Sequence, residues 1–431
     1  MKNLIMGAAK GYGWYTLEPF VTSWRRNCPD AELVLFVDDM SDFTRDKLIR
    51  EGVTLIDVPD ELRGVLIIHS RWKIFGDWLE SRGADYEQVF ITDTRDVIFQ
   101  GDIFANFHGL TNWLGCATEA DDIRGTKTGD RTNYNWIRDC FGAAEAERLA
   151  DQKIICCGTV VATINEMKIL SRIMWKILKT EKFWGYEQAA MNYLAWHGLL
   201  PIENVFELDT DGGEIFTSYF FVAQHPIELR GDKILRGDGQ IPAVVHQYDR
   251  NVELVELVDK IYRDRNFQAD VRFDDVQSAV EQTVCLLYAD KVADATKLFM
   301  SKFLSPADFN AAKNSLITVW ELAARKNFTP TVELLELAAQ NALTSVKKFS
   351  DAQMLRLYKI LLAAEKKRHA IDPTFKQNFA ARLLEIGEQN LAAGAPISYG
   401  LHIVRLIEEL GATDDEKFLQ FAARVNQALE R

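Results

Sequence analysis

Four short apolar runs, Leu4-Ile5-Met6, Leu33 to Val37, Val53 to Ile56 and Val89 to Thr92, are rich in β-branched residues and are separated by segments with helical spacing. That alternation predicts βα units feeding a mostly parallel sheet. The first run ends in Ala8-Ala9-Lys10-Gly11-Tyr12, the second in Asp38-Asp39, and the fourth in Asp93-Thr94-Arg95-Asp96 before apolar chain resumes. All three turns should open on the crevice beyond the strands' C-terminal ends, where open α/β sheets bind their ligands. Beyond residue 266 the pattern is helical. Ser305-Pro306, Thr329-Pro330 and Asp372-Pro373 each place a cap before a first-turn proline, Ser350 with Gln353 and Thr413 with Glu416 read as capping boxes, and Ile403, Ile407 and Leu410 recur at helical spacing.

Composition sharpens this division. Residues 1–266 hold nine of the ten tryptophans and 21 of the 25 glycines, and a chain of 431 residues exceeds what a single core usually fills. An α/β domain is therefore expected over residues 1–265, followed by an α-helical bundle or irregular helical solenoid over residues 266–431. The helical part carries no recognisable chemistry. A docking or oligomerisation role, implying a homo-oligomer or a protein partner, stands beside a purely stabilising one. Its basic cluster, Glu365-Lys366-Lys367-Arg368-His369, reads as a solvated helix end.

A net charge of −13 with no polybasic stripe argues against nucleic acid as a partner. No apolar run is long enough to span a bilayer, and Gly7, Lys10 and Gly11 break the first residues too soon for a signal peptide. A cytoplasmic location, extending to the inner face of the membrane, is the expectation. The six cysteines form neither a spaced framework nor a Cys-x-x-Cys pair, which predicts reduced thiols and no structural zinc; adjacent Cys156 and Cys157 read as small buried strand residues. There is no Gly-x-x-x-x-Gly-Lys phosphate loop, no Gly-x-Ser-x-Gly elbow and no His-Glu-x-x-His helix, and Gly7, Gly11 and Gly13 miss the dinucleotide-binding spacing.

Asp93 and Asp96 are the best clue to chemistry. Two carboxylates across a tight turn at a strand's C-terminal end can both face the crevice, and they suit Mn²⁺ or Mg²⁺, which take oxygen ligands and leave room for a substrate diphosphate and water. The same spacing also fits a plain strand-end turn in which Asp96 pairs with Arg95. Tyr12 suits stacking on a base and Asp38 a ribose hydroxyl, or both are ordinary loop residues.

An acidic motif at a strand end, after about a hundred residues of βα units, resembles the nucleotide-sugar-binding half of GT-A fold glycosyltransferases. Most of these carry Asp-x-Asp. The Asp93-Thr94-Arg95-Asp96 spacing is similar to the Asp-x-x-Asp variant in the glycosyltransferase domain of collagen lysyl hydroxylases and in bacterial relatives. The resemblance implies a histidine as third metal ligand on a late strand, which Ala243-Val244-Val245-His246-Gln247-Tyr248-Asp249-Arg250 offers at His246. Ile154 to Val161 resembles the family's strand whose backbone approaches the donor sugar at a glycine, here Gly158. Gly185 to Tyr193 resembles its acidic-Gln-x-x-x-Asn helix bordering sugar and acceptor, with Glu187 in place of the commoner aspartate ahead of Gln188. Gly158 also fits a bulge, and Glu187 and Gln188 also fit residues favoured at a helix N-terminus. The likeness covers roughly residues 1 to 250.

The resemblance implies a donor site formed by Ala8, Lys10, Tyr12, Asp38, Arg71, Asp93, Thr94, Arg95, Gly158 and Arg250, with Asp93, Asp96 and His246 on the metal. Lys10, Arg71 and Arg250 are the candidate phosphate neutralisers, each equally able to sit in a surface or helix ion pair; Arg71 matches an arginine common on that helix of the family. Glu187, Gln188 and Asp121 are the candidates for work on the sugar hydroxyls or the acceptor. The implied activity moves a hexose from a nucleotide diphosphate sugar, UDP-sugar favoured, to a glycan acceptor in cell-envelope polysaccharide synthesis. The competing reading is a noncatalytic nucleotide-sugar-binding or protein-interaction module whose helical part does the docking; intact Asp93, Asp96, His246, Glu187 and Gln188 favour catalysis.

Overall fold

The computed structural model describes residues 2–302, 318, 319, 322, 373–392 and 397–429. The chain divides into two compact units, Met1–Arg263 and Asp264–Arg431.

The first unit is built on a seven-stranded sheet. Its strands are β1 (Lys2–Lys10), β2 (Ala31–Asp38), β3 (Thr54–Asp57), β4 (Tyr86–Thr92), β6 (Trp113–Asp122), β7 (Lys153–Thr163) and β8 (Asn204–Leu208); β5 (Val97–Phe99) lies outside it. The order is β3-β2-β1-β4-β7-β6-β8. β3, β2, β1 and β4 run parallel, β7 runs antiparallel to both neighbours, and β8 lies parallel to β6. The four apolar runs are the parallel half, and the sheet is the mostly parallel, helix-flanked arrangement expected. β2 shows why those runs are continuous: Leu33 to Val37 are all buried, as a strand covered on both faces requires.

Helices supply the cover. α1 (Trp14–Asn27), α2 (Asp42–Arg50) and α3 (Ile67–Arg82) cross between the parallel strands. Ser41 caps α2 by accepting from the Thr44 N–H at 3.1 Å. α3 lies against α6 (Ile164–Leu178), where Trp72, Phe75 and Leu79 share a core with Met167, Leu170 and Met174. On the other side, α4 (Thr132–Phe141), α5 (Ala143–Leu149), α8 (Ser218–Val222) and α9 (Val252–Tyr262) bury Ile137, Leu149, Phe220, Val258 and Tyr262 in a second cluster. α7 (Tyr186–Trp196) is tied to β7 by side chains: buried Asn192 accepts from the Ile155 N–H and donates to the Ile155 and Gln188 carbonyls, each at 2.9 Å, and Trp196 Nε1 donates to the Lys153 carbonyl at 3.0 Å.

A small sheet completes the unit. β9 (Ile215–Thr217), a short hairpin of β10 (Leu229–Arg230) and β11 (Lys233–Ile234), and β12 (Val244–His246) follow β8. β12 pairs antiparallel with β5 and parallel with β9, in a register that sets His246 opposite Val97. This folds the late histidine back beside the end of β4.

In the second unit the described regular elements are helices. Val276–Tyr288 is capped by Asp275, which accepts from the Ser278 N–H at 2.9 Å, and packs on Val292–Lys302. Pro373–Ala392, Ile397–Glu409 and Glu416–Leu429 pack on one another and bury Leu383, Ile403, Ile407, Phe421 and Val425. The proline start at Pro373 stands as expected. The box predicted at Thr413 does not form: the last helix is capped two residues later by Asp415, which accepts from the Lys417 N–H at 2.8 Å. The caps at Ser305, Thr329 and Ser350 and the cluster Glu365 to His369 lie outside the described residues. No described helix is long and apolar enough to cross a membrane.

Asn192→Ala strips three hydrogen bonds and leaves both backbone groups of Ile155 buried without a partner. It should lower stability by about 2–4 kcal/mol, read as a drop in urea midpoint at unchanged m-value.

Candidate active site

The parallel half of the sheet delivers three turns to one edge. At the end of β4 the Asp93 N–H donates to the Gly158 carbonyl at 2.7 Å, continuing the β4–β7 ladder one step past Thr92 and Thr159. Asp96 immediately precedes β5, and the Gln247 N–H, in a left-handed conformation at φ 60°, donates to the Asp96 carbonyl at 2.8 Å. These two backbone locks bring three donor side chains together. His246 Nε2 lies 3.6 Å from Asp93 Oδ2 and 3.8 Å from Asp96 Oδ1, and the three ligand atoms fall within 4.8 Å of one another.

The cluster fits a hard divalent cation on its own evidence. The two histidine-to-carboxylate separations are shorter than twice a metal–ligand bond of about 2.1 Å, so one ion can touch the imidazole and either carboxylate. His246 is 1% exposed and its Nε2 has no hydrogen-bond partner, an unsatisfied buried nitrogen aimed at two carboxylates. Gly158 keeps the space open: a Cβ there would sit 2.6 Å from Asp93 Oδ2 and 2.8 Å from His246 Cε1.

Electrostatics follow from this crowding. Burial opposes the charge on Asp93, yet Arg71 and His246 hold its carboxyl below the usual range. Burial, together with Asp93 and Asp249, pushes Asp96 up against the pull of His246. His246 is raised against its own burial by Asp93 and Asp96.

Around the cluster lies a cavity of about 410 Å³, within the size range of small-ligand sites. Arg71, Asp93, Asp96, Gly158, Glu187, Gln188, His246 and Arg250 line it. Arg71, however, is committed. It is buried on α3, donates from Nε to Glu187 Oε1 at 2.8 Å, from Nη1 to Asp93 Oδ1 at 2.5 Å and from Nη2 to the Cys157 carbonyl at 3.0 Å. Its guanidinium positions two carboxylates and one strand, leaving Arg250 and Arg95 as the half-exposed cations nearest the metal cluster. Arg95 Nη2 lies 3.0 Å from Asp249 and 3.7 Å from Asp96; Arg250 bonds Asp249 from Nε at 2.9 Å and lies 3.9 Å from Asp96.

The remaining candidates separate. Thr94 Oγ1 donates to the Ala8 carbonyl at 3.2 Å, tying the turn after β4 to β1. Lys10 pairs with Asp38 at 2.7 Å, and Arg63 lies 3.5 Å from the same carboxylate, so this pair is satisfied internally. Ala8, Lys10, Tyr12 and Asp38 lie outside the cavity lining, although burial raises the Tyr12 phenol and Arg95, Asp93 and Asp96 act on it electrostatically. Asp121 is not brought to the cavity. Both of its oxygens are taken by the loop that follows, accepting from the Asp122, Lys127 and Thr128 N–H groups.

Two positions earlier on β6 stands Glu119, which sequence reasoning missed. It is 3% exposed, lines the cavity and accepts from Gln188 Nε2 at 3.2 Å, while the same amide donates to Asn133 at 2.8 Å. The pairing of β6 with β7 is irregular between Thr118 and Asp122, and the loop after β6 takes up Asp121 while Glu119 is left to the cavity. Burial pushes both Glu119 and Glu187 up to about 7.

No family model matches the chain, and no curated protein matches it. Solved structures do. A glycosyltransferase involved in the glycosylation of the major capsid of PBCV-1 is 12% identical over 61% of this chain and 100% of that one, with a TM-score of 0.31. The glycosyltransferase GlyE of Streptococcus pneumoniae TIGR4 is 16% identical over 70% of this chain and 64% of that one, at 0.35. Glucosyl-3-phosphoglycerate synthase of Mycobacterium tuberculosis, in complex with Mn²⁺, UDP and glucosyl-3-phosphoglycerate, is 14% identical over 48% of this chain and 70% of that one, at 0.28. At such identities and TM-scores these are partial similarities, and the chain's own side chains decide its chemistry.

Gly158→Ala should remove Mn²⁺ binding, measured by calorimetry, while the unfolding transition remains cooperative; unchanged affinity would mean that the cation lies elsewhere. A pH dependence also follows. Glu119 and Glu187 at about 7, and Asp96 and His246 shifted upward, all bind protons more tightly folded than unfolded. Each contributes stability that is full below its unfolded pKa and lost as pH rises through the folded one. From about pH 5 to 8 the protein in EDTA should therefore lose on the order of 2–4 kcal/mol, while the stabilisation by Mn²⁺ grows over the same window as the cation displaces protons from Asp96 and His246. Urea midpoints with EDTA and with Mn²⁺ measure both trends.

Proposed function

We propose that the chain is a metal-dependent glycosyltransferase that moves a sugar from a nucleotide diphosphate sugar to a glycan acceptor. The observation that carries this reading is the Asp93–Asp96–His246 cluster, with its unsatisfied buried imidazole nitrogen, opening into a cavity walled by Gln188, Glu119 and Glu187. Asp93, Asp96 and His246 would hold Mn²⁺ or Mg²⁺, which when bound supplies charge neutralisation to a departing diphosphate. Arg250 and Arg95 add fixed positive charge beside Asp96, where a diphosphate would sit. Preorganised donors and charges of this kind act mainly on the developing charge of the transition state.

The sugar faces a different set. Gln188 is oriented by Glu119 and Asn133, and these three offer amide and carboxylate atoms to ring hydroxyls. Glu187 does not share that freedom, because one oxygen accepts from both Arg71 and Trp72; it positions Arg71, and through it Asp93. The Lys10–Asp38 pair and Tyr12, beside β1 and β2, are the proposed nucleoside side, with UDP favoured. The helical unit is proposed as a docking or oligomerisation module, and the activity as cytoplasmic synthesis of an envelope polysaccharide at the inner face of the membrane.

The test is ligand-linked stability. UDP at about a hundred times its Kd should raise stability by about 2.7 kcal/mol only when Mn²⁺ is present, and UDP-sugars should release UDP in its presence. Asp96→Ala should abolish both effects with a retained unfolding transition. An equal UDP response without metal, or full activity of Asp96→Ala, would sink the assignment.

A further inference from the structure

Trp184 is the large apolar side chain that lines the cavity while staying mostly open to solvent, at 60% exposure. It sits on the segment between α6 and α7, and that segment is held in place from both ends. On one side, buried His69 of α3 faces the Glu181 carbonyl through Nδ1 at 3.2 Å. On the other, the indole of Trp136 covers Gly185 so closely that a Cβ there would lie 2.4 Å from the ring. Only glycine admits that stacking. The result is a backbone anchored on both sides of Trp184, which presents its indole at the cavity rim.

The neighbouring chemistry says what such a face would meet. Arg71 and Arg250 are the permanent cations of the lining; Arg71 is spent on Asp93 and Glu187, and Arg250 borders the Asp93–Asp96–His246 cluster. The wall near Trp184 and Trp136 instead presents Asp130, Thr132 and Asn133 from the start of α4. These are acceptors and neutral donors, unsuited to a phosphate or carboxylate group. An exposed indole beside carboxylate, amide and hydroxyl groups matches a ring with one apolar C–H face and a rim of hydroxyls, a pyranose.

We propose that Trp184 is the stacking platform for the acceptor, and that the acceptor is therefore a neutral pyranoside rather than a polypeptide hydroxyl or an anionic group. This inference rests on the glycosyltransferase reading of the same cavity. The indole face takes the C–H face of the sugar, while Thr132 and Asp130 orient its hydroxyls. Trp184 is a specificity-determining residue and takes no part in holding metal or nucleotide.

The experiment uses the full chain labelled with 5-fluorotryptophan, in Mg²⁺ and UDP, with the Trp184 fluorine resonance assigned from Trp184→Phe. Methyl hexopyranosides should shift that resonance in a saturable manner, whereas a capped serine peptide and inorganic phosphate should not. Trp184→Ala should weaken the apparent affinity for the glycosides, followed at a second tryptophan resonance, by roughly tenfold, the scale of one lost ring contact. The Mn²⁺-dependent stabilisation by UDP should be retained in that variant. A Trp184 resonance that ignores all methyl hexopyranosides, or that responds to the peptide or phosphate instead, overturns the inference. Undiminished glycoside affinity in Trp184→Ala does the same. Failure of UDP and Mn²⁺ to stabilise the unsubstituted protein would instead overturn the glycosyltransferase reading, so the two failures are distinct.

Discussion

The site depends on one buried guanidinium. Arg71 gives its three nitrogens to Glu187, Asp93 and the Cys157 carbonyl, joining α3, α7, the end of β4 and the middle of β7 at a single point. Taking such charges out of water costs several kcal/mol per ion, and only good geometry with every donor used offsets it. The planar fork of arginine meets that condition where a lysine's single ammonium would not. Opposing trends confirm the balance: burial disfavours the charged guanidinium, while Glu187 and Asp93 hold it charged. With Arg71 in place, Asp93 stays ionised and its second oxygen is left facing His246.

Register supplies the rest. The β4–β7 ladder puts Asp93 against Gly158, and the pairing of β12 with β5 puts His246 one residue beyond Asp96. Because side chains alternate with period two, a slip of one residue in either pairing would turn a donor to the opposite face. The site is thus specified by backbone hydrogen bonds between segments 65 and 151 residues apart in sequence, a long-range closure characteristic of sheet topologies.

This distribution explains what could be read in advance. The parallel strands and their turns were legible because complete burial writes unbroken apolar runs, and Asp93 and Asp96 interrupt one. His246 carried no local signal; a histidine ending a short apolar strand is common, and only the family resemblance singled it out. Arg71 was legible as a residue but not in its role, since free and committed arginines look alike in sequence. Asp121 and Glu119 stand two apart on β6 where its pairing is irregular, and the loop that satisfies Asp121 does so through backbone N–H groups that no side-chain pattern announces. Trp184 was hidden for a related reason. Its exposure follows from Gly185 and Trp136, a contact made across 49 residues of chain.

The same packing that builds the cluster also sets its charge. Asp93, Asp96, Glu119 and Glu187 gather around one cavity, and Arg71 compensates only two of them. A lone carboxylate in such surroundings would be neutralised by a proton, and the upward shifts of Asp96, Glu119 and Glu187 record that tendency. His246 answers it locally, because Asp93 and Asp96 both favour its protonated form at the place a divalent cation would occupy. A doubly charged ion there would balance both carboxylates. Arg95 and Arg250, already paired with Asp249, extend the same field outward. On the proposed reading, the ion would remove the local negative charge that opposes a diphosphate, so metal loading would favour donor binding.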